Sequence, residues 1–164
     1  MRFIVDGMLG GLARWLRILG QEVVYDKTRN DNALLNRAIK DKMILLTRDE
    51  ELCQRATAKR VTKLLVTELR EEERIAQVAK RFRLSLEVDM AKTRCPECGK
   101  DLRKTPRSEI SHKVPAKSLA LYEEFWECKN PECAKVYWIG GHWRQITSTL
   151  AKAKKIMETI QDTC

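Results

Sequence analysis

The chain has 164 residues, of which 43% are hydrophobic and 34% charged, enough for one packed domain or a small domain with an added module. A formal net charge of +9 favours an anionic partner, with nucleic acid ahead of a merely solvated, lysine-rich surface. No apolar run approaches the roughly 20 residues of a membrane span, and the N-terminal MRFIVDGML is too short and too soon charged for a signal peptide. We therefore expect a cytoplasmic protein without a membrane partner, in which the cysteines stay reduced.

The first 90 residues alternate short apolar runs with longer amphipathic stretches. The runs predict strands that are covered on both faces, at 2–5, 22–25, 43–47 and 63–67. The stretches predict helices from their apolar spacing, at 8–19, 31–41, 49–58 and 69–83. An edge strand is predicted at 84–88. This order predicts an α/β fold, a mainly parallel sheet with helices on both faces.

The composition changes near residue 91, where cysteines, prolines and tryptophans appear. We predict an α/β unit over residues 1–90, a cysteine-rich module over 91–145, and a closing basic helix within 146–164. The helical pattern of that last segment covers 146–161.

Acidic residues follow the first three predicted strands. Asp6, Asp26 and Asp49 stand at or just past strand ends, Asp31 opens the next helix, and Glu51 lies two residues after Asp49. Ligands of open α/β sheets bind at the carboxyl ends of the strands, and clustered carboxylates typically hold divalent cations. The pattern is compatible with a Mg²⁺ or Mn²⁺ site. Helix capping explains Asp31 and Asp49 equally well, and a turn or the helix dipole explains Asp26 and Glu51.

Arginines near these acids are candidate phosphate ligands: Arg14, Arg17, Arg29 and Arg48. Arg14 and Arg17 are neighbours at helical spacing, where they could contact RNA, tie down an acid, or form a solvated face. Trp15, between them, is expected to pack in the core.

Four cysteines form two tight pairs, CPEC and CKNPEC, whose thiols are Cys95, Cys98, Cys128 and Cys133. In a reducing compartment such pairs predict a closed, structural zinc site. Cys53 and Cys164 have no partner at this spacing and are interpreted as a helix residue and a free terminal thiol. Trp126 and Tyr137 flank the ligand segments and are expected in the core. Trp143 follows Gly-Gly-His in a predicted loop, where it could stack on an unpaired base.

Three segments together resemble one known family: FIVDGMLGGLARWLRILGQEVVYD, DNALLNRAIKDKMILLTRDEEL, and the cysteine-rich end through FWECKNPECAKVYWIGGHW. This is the PIN-like ribonuclease domain with a C-terminal zinc ribbon, the family of the mutator-seven exonuclease C-terminal domain. The resemblance implies a Rossmann-like PIN fold and metal-dependent RNA cleavage. It places the family's acids on Asp6, Asp31 and Asp49. Glu51 takes the place of a second aspartate, and Asp26 is our addition.

The leading prediction is a ribonuclease that hydrolyses RNA through Mg²⁺ or Mn²⁺ held by Asp6, Asp31 and Asp49, with Glu51 or Asp26 assisting. Arg14, Arg17, Arg48 and Trp143 are the predicted RNA contacts. A ribosome or an RNA-processing factor would be a fitting partner. The alternative is a non-catalytic RNA-binding or ribosome-associated protein, in which the zinc ribbon binds and the acids only cap helices. An aspartyl phosphotransfer domain is disfavoured because no D-x-D-x-T follows the first strand.

Overall fold

The computed structural model describes residues 1–28 and 30–159, so the predictions for Arg29 and Cys164 lie outside it. Its strands are β1 (Arg2–Val5), β2 (Glu22–Tyr25), β3 (Ile44–Thr47), β4 (Lys63–Leu65), β5 (Leu102–Lys104), β6 (Trp126–Cys128) and β7 (Val136–Tyr137). Its helices are α1 (Gly10–Ile18), α2 (Asp31–Lys40), α3 (Glu50–Ala58), α4 (Glu71–Phe82), α5 (Arg107–Ile110), α6 (Ala116–Leu121) and α7 (Gly141–Thr159). A 3₁₀ turn, Gly7–Leu9, precedes α1. None of the helices in the described ranges combines the length and apolar character that a bilayer crossing requires.

The predicted parallel sheet is confirmed. Its four strands lie in the order β2-β1-β3-β4, and every pair is parallel. From β1 the chain moves outward to β2 and then crosses back to β3, so the strand order switches direction between β1 and β3. At the carboxyl edge of such a sheet, this switch point is where ligands bind.

Both faces of the sheet are covered, which explains why its strands are apolar throughout. Phe3 and Val5 of β1 belong to the core shared with α1, α4 and α7, whereas Ile4 points to the other core, beneath α2 and α3. All three side chains are fully buried. Complete burial of one such side chain contributes about 1.5–3 kcal/mol.

The closing helix is longer than predicted. α7 begins at Gly141, so Trp143 lies in its first turn and the predicted loop at this position is wrong. The reason is visible in the spacing, since Trp143, Ile146, Leu150 and Ala153 continue one helical stripe across the assumed boundary. Leu150 and Ala153 are buried in the core shared with α4. α7 therefore completes a layer of the α/β unit.

The segment 84–88 forms no strand, contrary to the prediction. Its alternation has another cause: Leu84 and Leu86 are buried in the α1/α4/α7 core, while Ser85 and Glu87 between them are exposed. Packing against helices produces the same period of two as pairing in a sheet.

The cysteine-rich module contains a three-stranded antiparallel sheet in the order β5-β6-β7. Its separate core is small, with Ile110, Val114 and Phe125 as its buried members. Four partly buried residues, Leu119, Tyr122, Val136 and Trp138, pack against it. Domains with cores this small typically rely on an additional constraint such as a bound metal.

Two adjacent glycines at the start of α1 differ in what a methyl group would meet. A Cβ on Gly10 would lie 2.6 Å from the Tyr25 hydroxyl oxygen, which donates to the Gly7 carbonyl at 3.0 Å. A Cβ on Gly11 would meet the flexible carboxylate of Glu71 at 2.7 Å.

We expect Gly10→Ala to lower the free energy of unfolding by about 1–3 kcal/mol. Gly11→Ala should leave it unchanged or raise it by up to about 1 kcal/mol. Urea denaturation of both variants tests this, and equal destabilisation would contradict it.

Candidate active site and metal centre

Asp6 is anchored between β1 and β3 at the switch point. Its backbone N–H donates to the Leu46 carbonyl at 3.0 Å, which extends the pairing of the two strands by one residue. Its Oδ2 accepts from the Thr47 hydroxyl at 2.9 Å and from the Arg48 N–H at 3.4 Å. Its Oδ1 accepts from the Met8 N–H at 3.2 Å and caps the 3₁₀ turn, a capping role that the sequence did not reveal. The carboxylate is thus fixed in one orientation.

Asp49 is linked to Asp6 through a single buried hydroxyl. The Thr47 Oγ1 accepts from the Asp49 N–H at 2.9 Å while it donates to Asp6. Asp49 is the N-cap of α3, one of the two roles considered for it, because its Oδ1 accepts from the Leu52 N–H at 2.9 Å. Within the described part of the chain its Oδ2 has no hydrogen-bond partner. Strand register and helix capping together bring these two acids to one edge.

The acids contributed by β2 and α2 lie on either side of this pair. Asp26 follows Tyr25, which pairs with Val5, so Asp26 is adjacent to Asp6 at the sheet edge. Its Oδ1 accepts from the Thr28 N–H and hydroxyl at 2.9 and 2.7 Å, which is the turn geometry considered for it.

Asp31 is the first residue of α2 and not its N-cap. The capping residue is Asn30, whose side chain accepts from the Ala33 N–H at 2.9 Å. An Asp31 oxygen lies 3.7 Å from the Arg55 guanidinium of α3, which also bonds to Asn32. No pattern in the sequence indicated this pairing between α2 and α3.

Glu51 lies in the first turn of α3 and is exposed. Over residues 1–28 and 30–159, the four cysteines are the potential ligands that come within 4.8 Å of one another in a group of three or more. The acids form no group that tight. They line the carboxyl edge from β2 to α3 at wider spacing.

The four predicted cysteines converge on one point. The Sγ atoms of Cys95 and Cys133 are 3.7 Å apart, and those of Cys98 and Cys128 are 3.4 Å apart. Four sulfurs bound tetrahedrally to zinc at about 2.3 Å would be separated by roughly 3.8 Å. The spacing and the soft donor set therefore fit a metal such as zinc.

Hydrogen bonds distinguish Cys95 from the other thiols. Burial raises its pKa, but bonds from the Tyr137 hydroxyl, at 3.1 Å, and from the Cys98 and Glu97 N–H groups outweigh burial and bring the pKa to about 7. Burial raises the pKa of Cys128 above the usual range. Cys95 is thus the more easily deprotonated of these two sulfurs.

We compared the chain with models of known protein families. The profile of the Mut7-C RNAse domain matches residues 1–150. The chain belongs to the Mut7-C RNAse domain family. The resemblance noted in the sequence is confirmed, and RNA is the substrate class that this family suggests. Searches of curated proteins and of solved structures gave no significant match.

Among the RNA contacts predicted for this Mut7-C domain, Arg14 and Arg17 have different surroundings. Arg14 is largely exposed, and its Nη2 lies 3.0 Å from the Glu97 Oε1 atom. Arg17 is 4% exposed, and its guanidinium donates to backbone carbonyls of the Cys95–Cys98 turn. Contrary to the prediction, Arg17 is out of reach of RNA.

The other two predicted RNA contacts, Arg48 and Trp143, lie in different parts of the structure. Arg48 is half-buried beside Asp6, to which its N–H donates. Trp143 is half-buried and lines a groove between α7 and the segment 86–88. Trp15 is buried in the core, as expected.

The sequence analysis missed Thr47, and it assigned Tyr137 to the core without its contact with Cys95. Thr47 is fully buried and bonds to both Asp6 and Asp49. A signal was present, because in L-T-R-D the threonine stands between the strand end and the capping aspartate. Tyr137 carried no comparable signal, since its contact with Cys95 depends on the return of β7.

Proposed function

We propose that this Mut7-C domain is a metal-dependent ribonuclease that hydrolyses RNA phosphodiester bonds at the β1/β3 switch point. Asp6, Asp31 and Asp49 would hold Mg²⁺ or Mn²⁺, with Glu51 or Asp26 assisting. The observation that carries the proposal is the bridge from Asp6 through Thr47 to Asp49 at the edge where α/β sheets bind ligands. The family suggests the substrate.

The donor set suits a hard cation. Mg²⁺ takes oxygen ligands, often one or two carboxylates completed by waters and substrate phosphates, so widely spaced acids are sufficient. The ion pair of Asp31 with Arg55 is partly exposed and therefore weak enough to be exchanged for a cation. A bound Mg²⁺ or Mn²⁺ would supply Lewis-acid stabilisation and an activated water.

The protein's own groups would orient the site and the substrate. Thr47 and the Arg48 N–H fix the Asp6 carboxylate, so it does not reorganise when a cation or a phosphate arrives. The side chains of Arg14 and Arg48 would pair with RNA phosphates, and Trp143 would stack on a base beyond the site. Hydrolysis in line would leave 5′-phosphate and 3′-hydroxyl ends.

We further propose that the four cysteines bind Zn²⁺ in a structural role. With all four positions taken by protein thiolates, such a site has no open position for a substrate or a water. The zinc ribbon would then stabilise the fold, and together with the basic closing helix it would help to hold RNA.

A cleavage assay on labelled structured and unstructured RNAs tests the catalytic proposal. The protein is dialysed against metal-free buffer without a chelator, which spares a tetrathiolate site, and Mg²⁺ or Mn²⁺ is then restored. We expect cleavage to require the added ion and to leave 5′-phosphate ends. Cleavage that proceeds equally without it, or that leaves cyclic phosphates, would overturn the proposal. Salt-sensitive RNA binding without turnover would favour the non-catalytic alternative.

A further inference from the structure

Arg17 is a buried cation of α1 whose side chain reaches from the α/β unit to the cysteine turn. Its Nη1 donates to the Pro96 carbonyl at 3.0 Å and to the Glu97 carbonyl at 2.8 Å. Its Nη2 donates to the Val23 carbonyl of β2 at 3.3 Å. One guanidinium therefore connects α1 and β2 to the turn that carries Cys95 and Cys98.

The backbone beside this contact repeats the connection. The Arg94 N–H donates to the Arg17 carbonyl at 2.9 Å, and the Thr93 hydroxyl donates to the Ile18 carbonyl at 2.8 Å. The Arg17 carbonyl also accepts from the Gly20 N–H at 3.0 Å, so the segment entering the cysteine turn adds a second bond there. The Ile18 carbonyl, which lies in the last turn where helix carbonyls lack partners within the helix, accepts from the same segment. The last turn of α1 and the first cysteine pair are built as one unit.

Gly99 permits the close approach of the guanidinium. A Cβ at this position would lie 2.9 Å from the Arg17 Nε atom, and the backbone has φ +78°, a conformation that L side chains rarely adopt. The turn is thus shaped around the arginine.

One donor of this guanidinium is unsatisfied. The Arg17 Nε is buried without a hydrogen-bond partner in the described structure. Leaving a charged donor unpaired is costly unless negative charge lies close by. Four thiolates around one divalent cation carry excess negative charge, and the turn bonded to Arg17 contributes two of them.

We infer that Arg17 is a positioning residue for the four-cysteine metal centre, holding the Cys95–Cys98 turn in its binding geometry and offsetting the thiolate charge. The inference rests on the proposed structural metal. If Arg17 has this role, metal retention depends on a residue of α1. This helix begins four residues after Asp6. The cysteine module and the α/β unit are accordingly coupled through Arg17.

The primary test measures metal release to a chromophoric chelator from the full chain loaded with zinc. Arg17→Met keeps much of the side-chain volume and removes the charge and the donors, and we expect release to become about 10-fold faster or more. Arg17→Lys keeps the charge without the fork of donors and should give an intermediate rate. The matched control is Arg14→Met, because Arg14 lies one turn away and contacts the same segment only through the exposed Glu97 side chain. Its release rate should stay within about twofold of the parent protein.

A second readout separates positioning from simple core packing. Arg17→Met should lower the thermal unfolding midpoint strongly in the metal-loaded protein and much less in the metal-free protein. Equal losses in both states would overturn the inference, as would unchanged metal release. In the cobalt-substituted variant, the thiolate-to-cobalt absorption should shift or weaken.

The failure of the metal proposal itself is distinguishable, because the parent protein would then bind no stoichiometric metal. If Arg17→Met does not fold, Arg17→Lys decides in the same assays. If Arg17→Lys retains metal as firmly as the parent protein, the paired N–H donors of the guanidinium are not required, and that part of the inference is wrong.

Discussion

Replacement of Asp6 by asparagine is expected to lower kcat for RNA cleavage by about 100-fold or more, equivalent to about 2.7 kcal/mol of transition-state stabilisation. Asp6 is the acid that the fold holds most firmly, with both carboxylate oxygens fixed by donors from the 3₁₀ turn, from Thr47 of β3 and from Arg48 after it. An amide keeps the shape but is a poor ligand for a hard cation. RNA affinity should stay constant or rise, since one repulsive charge is removed. Single-turnover kinetics and filter binding give the two quantities.

The control for Asp6→Asn is Asp41→Asn. Asp41 caps the C-terminal end of α2, at the opposite edge of the sheet, and pairs with Arg37 at 3.1 Å. The substitution changes the net charge by the same amount. It should leave kcat within about twofold, because Asp41 lies away from the acids of the site. Stability should change little, since a surface ion pair contributes at most about 1 kcal/mol. Undiminished cleavage by Asp6→Asn, in protein free of host nucleases, would remove Asp6 from the active site.

The acidic edge could be predicted because it follows from local patterns. Apolar runs identified the strands, their order identified a parallel sheet, and parallel strands end at one edge, so Asp6, Asp26 and Asp49 had to lie along it. The clustering of the four cysteines could be predicted as well, because two tight pairs of thiols in a reducing compartment are typical of metal sites. The structure confirms the sheet and the clustering of the thiols.

The surroundings of single side chains could not be predicted, since they depend on segments distant along the chain. Arg17 looked like an exposed neighbour of Arg14, yet it is buried because the turn at residues 95–98, almost eighty positions later, folds over it. The contact between Asp31 and Arg55 likewise depends on how α2 packs beside α3. Helical spacing fixes which residues share a face, but not what covers that face.

The misplaced start of α7 has a different cause. Gly140 and Gly141 were interpreted as a loop, although the apolar stripe from Trp143 to Ala153 was already present in the sequence. Burial against α4 outweighs the weak helix propensity of glycine at a helix end. For α7 the apolar periodicity predicts the helix start more accurately than local composition does. At 84–88 the period of two fits both a strand and an extended segment packed against helices.

Replacement of Cys128 by serine is expected to abolish stoichiometric metal binding and to unfold the β5-β6-β7 sheet while the parallel sheet persists. Cys128 is the last residue of β6, the central strand, and is 4% exposed, so its loss would remove one of the proposed metal ligands from that sheet. Removal of a ligand should exceed the roughly 10–100-fold loss of affinity typical of outer-shell changes. Structural zinc contributes about 10–16 kcal/mol in zinc-finger peptides, far more than the small core here can replace. Metal analysis and amide hydrogen exchange measure the two effects.

Cys53→Ser is the matched control, because Cys53 is a half-buried thiol of α3 outside the cluster. It should keep one metal per chain and the same protection of β5-β6-β7. Arg17 of α1 bonds to the cysteine turn, and Thr93 at the entry to the module bonds back to α1, so we expect a graded result for Cys128→Ser. Amides of α1 should lose some protection, whereas those of α2 and α3, which pack on the opposite face, should not. A module that stays protected without metal would show that its apolar core and ion pairs suffice, and the cysteines would then need another role.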